Sequence, residues 1–266
     1  IPLGMSSAVM TSCTQQQSAG TAAKSYSPEE LGMFSFVEVA PDGKPLKAAL
    51  VGCGDRGTGA ATQFLKSGPN VSIIALADLF PDRMATCRKV LYEQFKNEVP
   101  DANCFLGFDA YQKVLAMNDI DVVLLCTPTH FRPEQFKAAV EAGKHIFMEK
   151  PCAVDPTGIR TVIAAAKVAT SKGLTVVTGN QRRHRRDYWE AYVQVKNGLI
   201  GDVVSSSAHW DQGAWWNKRK RPEWSDMEYM IRGHFNWNWV NGDQISNMLI
   251  HWIDVFNWFT QLKPVN

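Results

Sequence analysis

The chain has 266 residues, a formal net charge of +2 and 45% hydrophobic residues, which is enough apolar material for one large or two ordinary globular domains. The balance of 28 basic against 26 acidic residues excludes a global field that would attract nucleic acid. The six cysteines include no C-x-x-C pair, so they predict neither a metal site nor a disulfide framework. A small, neutral partner fits this composition better than nucleic acid.

Residues 1–45 are predicted to form a leader ahead of the folded part. The chain opens with Ile1, and a small apolar stretch changes at once into a polar, low-complexity one at residues 14–27. This change resembles the end of an export signal, and residues 10–13 loosely match a bacterial lipobox in which Cys13 would be acylated. We expect an exported, periplasmic or membrane-anchored bacterial lipoprotein. A cytoplasmic protein with a frayed N-terminus is the alternative.

Between residues 46 and 180, short apolar runs alternate with helix-forming segments. Strands are predicted at 47–52, 71–77, 121–126, 145–148 and 174–178, and helices at 58–66, 82–99, 133–142 and 159–171. Such alternation is typical of parallel βαβ units. The prediction is an α/β fold whose N-terminal part is a Rossmann domain with a doubly wound parallel sheet.

The pattern changes after a polar turn at residues 179–186. A helix is predicted at 188–197, a strand at 202–209 and a second helix at 244–260, and residues 215–240 are crowded with tryptophan and basic side chains. We expect residues 181–266 to form a second, α/β domain. Because the chain ends before the run of strands that such a domain needs, we expect this domain to be incomplete at its C-terminus.

A glycine-rich turn follows the first predicted strand and opens the first predicted helix. It has the G-x-G-x-x-G pattern of dinucleotide-binding proteins: Gly52, Cys53, Gly54, Asp55, Arg56 and Gly57. The first glycine permits a tight turn, the second lets the backbone approach a pyrophosphate, and the third lets helix and strand pack closely. The strand and helix on either side favour a cofactor site over a turn without a ligand.

Asp78 ends the second predicted strand, 26 residues beyond Gly52. A carboxylate there accepts hydrogen bonds from the ribose hydroxyls of NAD and repels the 2′-phosphate of NADP. We therefore expect NAD as the cofactor, with NADP left open because Arg83 lies close in sequence.

Polar residues also follow two later strands, at the sheet edge where open α/β folds bind ligands. The candidates for cofactor binding there are Thr127, Pro128, His130, Glu149 and Lys150. A lysine in this place can hydrogen-bond a reacting hydroxyl and stabilise the negative charge that develops on it. The alternative, a solvated surface lysine, is less compatible with a strand terminus between Glu149 and Pro151.

The last predicted helix carries Asn247, His251 and Asp254 at positions i, i+4 and i+7, hence on one face. A histidine so placed can accept a hydroxyl proton at neutral pH. A hydrogen-bonded core histidine explains the pattern equally well. The basic run at residues 182–186, which contains Arg183, fits a solvated face, a phosphate clamp or a substrate-facing edge.

Taken in order, the segments LVGCGDRG, CTPTH, MEKP, GNQRR and HWIDVFNW resemble the Gfo/Idh/MocA family of oxidoreductases from residue 47 to the end. The resemblance implies Lys150 and His251 at the reaction centre, a cis peptide bond before Pro151, and substrate contacts from Asn247, Arg183 and Asp254. It also implies a second domain with an open, mainly antiparallel sheet that joins subunits into a homo-oligomer. The leader suggests the exported members of Bacteroidetes-like bacteria.

The sequence departs from the family pattern at two positions. Asn247 stands where many of the dehydrogenases have aspartate, four residues before the active-site histidine, and it cannot act as a carboxylate. Arg132 replaces the histidine of T-P-x-x-x-H, which changes the expected cofactor contacts.

Three functional hypotheses follow. The first is an NAD(P)-dependent oxidoreductase that transfers hydride between the nicotinamide and a hydroxyl of a sugar or polyol, with His251 as proton acceptor and Lys150 stabilising the alkoxide. The second is an NAD-dependent glycosidase that oxidises its substrate transiently, permits elimination and keeps its cofactor bound. The third is a noncatalytic nucleotide- or sugar-binding homologue.

Overall fold

A computed structural model describes residues 25–33, 43–211, 213 and 218–262. Its centre is a six-stranded parallel sheet, made of β1 (Leu46–Val51), β2 (Val71–Asp78), β3 (Cys104–Leu106), β4 (Val122–Leu125), β5 (His145–Met148) and β6 (Val176–Thr178). The strand order is β3-β2-β1-β4-β5-β6. Because the order reverses between β1 and β4, a crevice opens there at the carboxyl ends of the strands.

Nine α-helices lie among the described residues. They are α1 (Asp55–Lys66), α2 (Pro81–Phe95), α3 (Ala110–Leu115), α4 (Arg132–Glu141), α5 (Pro156–Ser171), α6 (Arg186–Lys196), α7 (Asp226–Arg232), α8 (Asn238–Asn241) and α9 (Ile250–Thr260). A π-helical turn at Ile245–Leu249 leads into α9. Local sequence explains several helix starts: α2 and α5 begin with a proline, which suits the first helical position, and the Asp155 side chain caps α5.

The sheet is buried between two helical layers because successive side chains of each strand point to opposite faces. On β1, Ala49 and Val51 join the core formed with α3, α4 and α5. Ala48 and Leu50 join the core formed with α1 and α2. The central apolar runs are therefore strands buried on both faces, the run at 174–178 forms the edge strand β6, and the Rossmann prediction is confirmed.

The prediction of a strand at 202–209 is wrong. These residues form no regular element, and Val204 is 93% exposed. An isolated strand leaves its backbone groups without partners, and no other strand forms in the described part of 181–262 to supply them. The antiparallel sheet expected of the second domain is accordingly not seen in this part of the chain, which is helical.

After the sheet, an aromatic cluster packs α6 against α9. The rings of Trp189 and Trp258 lie 4.7 Å apart, and Tyr192 packs 5.1 Å from Trp258. Leu31 and Met33, from the part of the leader that is described, pack against the same cluster. Cys13 and the proposed export signal lie outside the described residues. Across those that are described, we find no helix with the length and apolarity needed to traverse a bilayer.

Candidate cofactor and active site

A cleft of about 660 Å³ lies at the carboxyl ends of β1, β2, β4 and β5, within the usual size range of small-molecule sites. It brings together most of the residues that sequence analysis selected. Those in its lining are Gly52, Gly54, Asp55, Arg56, Gly57, Asp78, Thr127, Pro128, Glu149, Lys150, Asn247 and His251.

The three glycines of the turn meet different surroundings. Gly52 has a φ of +97°, and a Cβ there would lie 2.8 Å from the Cys126 carbonyl carbon. A Cβ on Gly57 would lie 1.7 Å from the Gly52 carbonyl oxygen. At Gly54, by contrast, the nearest atom to a Cβ is the Arg83 Nη1, 3.7 Å away. The fold thus requires glycine at positions 52 and 57. Gly54 instead leaves open space beside the N-terminus of α1, which fits a pyrophosphate.

Asp78 is fixed at the end of β2 by the backbone. Its Oδ2 accepts a hydrogen bond from the Cys53 amide at 2.6 Å, and its Oδ1 accepts one from the Phe80 amide at 2.8 Å. Burial raises the pKa of this carboxyl above its usual value, and the two amides oppose the rise. Because each carboxylate oxygen has a second lone pair, Asp78 retains the capacity to accept hydrogen bonds from ribose hydroxyls.

Arg56 and Glu149 join the glycine turn to the end of β5. The Arg56 Nε donates to the Glu149 Oε1 at 2.7 Å, and only 7% of the Glu149 side chain is exposed. Gly179 makes room for this carboxylate, since a Cβ there would lie 2.6 Å from Oε2. The ion pair therefore links the glycine turn, where the phosphates of a dinucleotide are expected, to the end of β5, next to the predicted reaction centre.

Lys150 follows β5, and its peptide bond to Pro151 is cis, which confirms the expectation from the family resemblance. Its Nζ donates to the Asn247 carbonyl oxygen at 2.6 Å and to the Asn247 Oδ1 at 3.2 Å. Burial lowers the pKa of Lys150 to about 8, against the opposing effect of the Glu149 charge. The ammonium group thus has neutral oxygen acceptors from Asn247, where an aspartate would supply a carboxylate.

His251 lies one turn beyond Asn247, at the start of α9, and is 7% exposed. Its ring stacks on Trp210 with the centroids 5.9 Å apart. Burial lowers the pKa of His251 to about 4, and the positive charges of Lys150 and Arg182 lower it further. The imidazole is therefore neutral at physiological pH and able to accept a proton. The π-helical turn before α9 is a feature often found at functional sites.

Two of the predicted substrate contacts pair with each other. The Arg183 Nε lies 2.8 Å from the Asp254 Oδ1 and 2.9 Å from its Oδ2, and neither residue is among the described residues that line the cleft. The Arg183 carbonyl also accepts the indole N–H of Trp189 at 2.7 Å. These contacts connect α9 to the turn after β6. A role of Arg183 and Asp254 in substrate binding stays a prediction.

Some residues of the segment after β4 line the cleft, and others lie outside it. Thr127 donates to the Gln135 Oε1 at 2.6 Å inside the cleft. His130 is exposed and contacts the rings of Phe131 and Trp239 at 5.2 and 5.5 Å, so its predicted cofactor contact stays untested. Arg132 is buried and donates to the Pro151 carbonyl oxygen at 2.5 Å. This arginine therefore braces the loop that carries Lys150.

Sequence analysis missed the part of the lining that comes from residues 218–241. This part comprises Lys218, Ile231, Arg232, His234, Phe235 and Asn241. Burial lowers the pKa of His234 to about 4, and the charges of Arg83 and Arg132 act in the same direction. No hydrophobic period marks this segment in the sequence, and the only available signal was its density of aromatic and basic side chains.

Comparisons with known proteins agree with this fold. Residues 46–178 match the GFO_IDH_MocA family, described as an oxidoreductase family with an NAD-binding Rossmann fold. The chain is 24% identical over 216 residues to a glycosyl hydrolase family 109 protein of Shewanella amazonensis, covering 81% of this chain and 45% of the relative. It is 34% identical over 110 residues to glycosyl hydrolase family 109 protein 1 of Bacteroides fragilis, covering 41% and 23%. The chain thus spans less than half the length of these relatives.

Two solved structures show the same architecture. One is myo-inositol 2-dehydrogenase from Lactobacillus plantarum, with a TM-score of 0.61, 25% identity, and coverage of 84% of this chain and 58% of that one. The other is scyllo-inositol dehydrogenase from Lactobacillus casei with bound NAD(H) and scyllo-inositol, with a TM-score of 0.58, 25% identity, and coverage of 82% and 57%. The family match, the glycine turn and the sheet topology together show that the chain belongs to the Gfo/Idh/MocA family of NAD-binding Rossmann oxidoreductases.

Proposed function

We propose that the protein transfers hydride between NAD and a hydroxyl-bearing carbon of a sugar or cyclic polyol. The observation that carries the proposal is the joint placement of Lys150 and His251 in the cleft that begins at the glycine turn. The ligands of the scyllo-inositol dehydrogenase from Lactobacillus casei, NAD(H) and a cyclic polyol, support the same substrate class.

The two side chains have complementary protonation states for this reaction. When bound, NAD supplies the ring carbon that accepts the hydride. His251, neutral near pH 7, accepts the hydroxyl proton on its unprotonated ring nitrogen. Lys150, still mostly charged, donates a hydrogen bond to the oxygen on which negative charge develops. Asn247 orients the ammonium group without neutralising it.

The rate of alcohol oxidation should depend on pH through these two groups. His251 must be unprotonated, so kcat/KM should fall as the pH drops through about 4. Lys150 must be charged, so kcat/KM should fall as the pH rises through about 8. A pH profile of kcat/KM checks both limbs. A Lys150→Arg variant, which stays charged, should be slower but should lose the alkaline limb. A wild-type rate that rises steadily to pH 10 would contradict the assigned role of Lys150.

Asp78 should determine the preference between NAD and NADP. An Asp78→Asn variant removes the charge that repels a 2′-phosphate, so the ratio of the NADP to the NAD dissociation constant should fall by about tenfold. Asp78 also accepts hydrogen bonds from two backbone amides, so the substitution will change the affinities for both NAD and NADP. The ratio of the two dissociation constants is therefore the informative quantity. Titration with each dinucleotide measures it. An unchanged ratio would remove Asp78 from the ribose site.

A second candidate function is glycoside cleavage by transient oxidation, elimination and return of the hydride to the substrate. It is favoured by the glycosyl hydrolase family 109 proteins among the relatives. The expected export of the chain favours it too, since free cofactor is scarce outside the cytoplasm. Absorbance at 340 nm during turnover of inositols and of aryl glycosides separates the two. A lasting rise with an inositol supports the dehydrogenase, whereas release of the aryl group without a lasting rise supports the glycosidase.

A further inference from the structure

Residues 218–241, here called the strap, lie along the open side of the cleft. The strap belongs to the part of the chain predicted as the second domain, and it contributes Arg232 and His234 to a lining shared with residues at the ends of β2, β4 and β5. Its helix α7 is capped by Ser225, whose hydroxyl accepts a hydrogen bond from the Glu228 amide at 3.1 Å. The position of this segment is therefore defined locally as well as by its contacts with the Rossmann domain.

Arg232, within the strap, is fixed to the start of α2. The Arg232 Nη1 and Nη2 lie 2.9 and 2.8 Å from the two carboxylate oxygens of Asp82, and Nε donates to Glu228 at 2.7 Å. The guanidinium lies 3.8 Å from the centroid of the Phe80 ring, and only 11% of the Arg232 side chain is exposed. A bidentate pair supported by an aromatic face is a strong form of ion pair. Asp82 lies four residues beyond Asp78, so this contact lies at the expected adenosine half of the cleft.

The C-terminal end of the strap is fixed near the reaction centre. The Thr129 hydroxyl lies 3.3 Å from the Asn241 Oδ1, and both residues are buried. The Asn241 carbonyl lies 3.5 Å from the Asn247 Nδ2. The strap is thus tied to the Rossmann domain at both ends of the cleft.

Between these two fixed points lies His234, which lines the cleft. Its Nδ1 is buried and makes no hydrogen bond of normal geometry to a described residue, although the Ile231 backbone is near enough to favour the protonated ring. A buried polar atom in this state costs free energy until a ligand or a water satisfies it. The hydroxyls and phosphate oxygens of a dinucleotide are of the kind that would do so.

We propose that the strap is a clasp that retains the dinucleotide, with the Arg232–Asp82 ion pair as its fastening and His234 as a contact to the bound cofactor. This inference rests on the proposed dinucleotide site. The dinucleotide then leaves only after the ion pair opens, so its dissociation is slow. Retention through many turnovers suits a reaction that returns the hydride to the substrate.

The dissociation rate of NADH tests the clasp. The protein is loaded with NADH, an excess of NAD is added, and the loss of bound NADH fluorescence gives the rate. Asp82→Asn and Arg232→Gln should each speed dissociation at least about tenfold, because each removes the fastening. Asp226→Asn is the matched control, since it breaks an exposed ion pair with Lys220 inside the strap and should leave the rate unchanged.

The outcomes separate the clasp from the site that it covers. NADH binding with wild-type dissociation in Asp82→Asn overturns the clasp, and this variant changes a largely exposed side chain, so its folding is not at issue. Equal acceleration by Asp226→Asn also overturns it, because the effect would then be a general loosening of the strap. Failure of the wild-type protein to bind NADH overturns the proposed dinucleotide site instead.

Discussion

Replacing Lys150 with alanine should lower kcat by about 10²–10³-fold while the protein still binds NAD, because the variant loses the charged donor to the developing alkoxide. The glycine turn and Asp78, which form the predicted cofactor site, lie on β1, β2 and α1 and do not depend on this side chain. Steady-state kinetics with the most active polyol or glycoside, together with an NADH fluorescence titration, measure the two quantities separately.

Lys167→Ala is the control for this substitution, since Lys167 is an exposed lysine on α5 and its removal should leave kcat unchanged. A Lys150→Ala variant with wild-type kcat would remove Lys150 from the reaction. Loss of NAD binding together with turnover would place Lys150 in cofactor binding rather than in chemistry. Turnover that depends on Lys150 also disposes of the noncatalytic hypothesis.

Gly54→Val should abolish dinucleotide binding and leave the fold intact. The backbone at Gly54 is extended, with φ −68° and ψ −175°, and the nearest atom to a Cβ is 3.7 Å away on a flexible arginine. The added methyl groups would instead occupy the space expected for the pyrophosphate. We expect the dissociation constant of NAD to rise by more than about tenfold while the melting temperature changes by less than about 3 °C.

Two further glycine variants make this result interpretable. Gly57→Ala should unfold or strongly destabilise the domain, because its Cβ would overlap the Gly52 carbonyl. Gly59→Ala, in the interior of α1, should keep NAD binding with little change in stability, since the better helix propensity of alanine is offset by a Cβ that lies 3.3 Å from the flexible end of Arg56. A Gly54→Val variant that binds NAD like the wild type would show that the pyrophosphate lies elsewhere.

The Rossmann fold could be predicted because its central strands are buried on both faces. Each central strand is a short, uninterrupted apolar run, and glycine, proline or aspartate marks where most of the runs end. The third strand was missed because β3 has only three residues at the sheet edge, and its pairing with Leu76, Ala77 and Asp78 is decided by β2. The strand predicted at 202–209 shows the reverse error, since an alternating pattern does not supply a pairing partner.

Residues at strand ends could be assigned to the site because parallel topology brings those ends to one edge. Pairs of side chains that are far apart in sequence could not be assigned in this way. Arg232 and Asp82 are 150 residues apart, and Arg183 and Asp254 are 71 apart. Helical periodicity places Asp254 near the face of His251, but only tertiary packing directs its carboxylate to Arg183. The sequence of the strap has no hydrophobic periodicity, so its contribution to the lining of the cleft could be recognised only in the structure.

The central claim is that the cleft holds a nicotinamide dinucleotide, and native mass spectrometry of the protein purified without added cofactor, followed by titration with NAD and NADP, tests it most directly. The account predicts one dinucleotide per chain, either retained through purification or bound on titration, with NAD preferred over NADP. A folded protein that retains no dinucleotide and binds neither at millimolar concentration would contradict it.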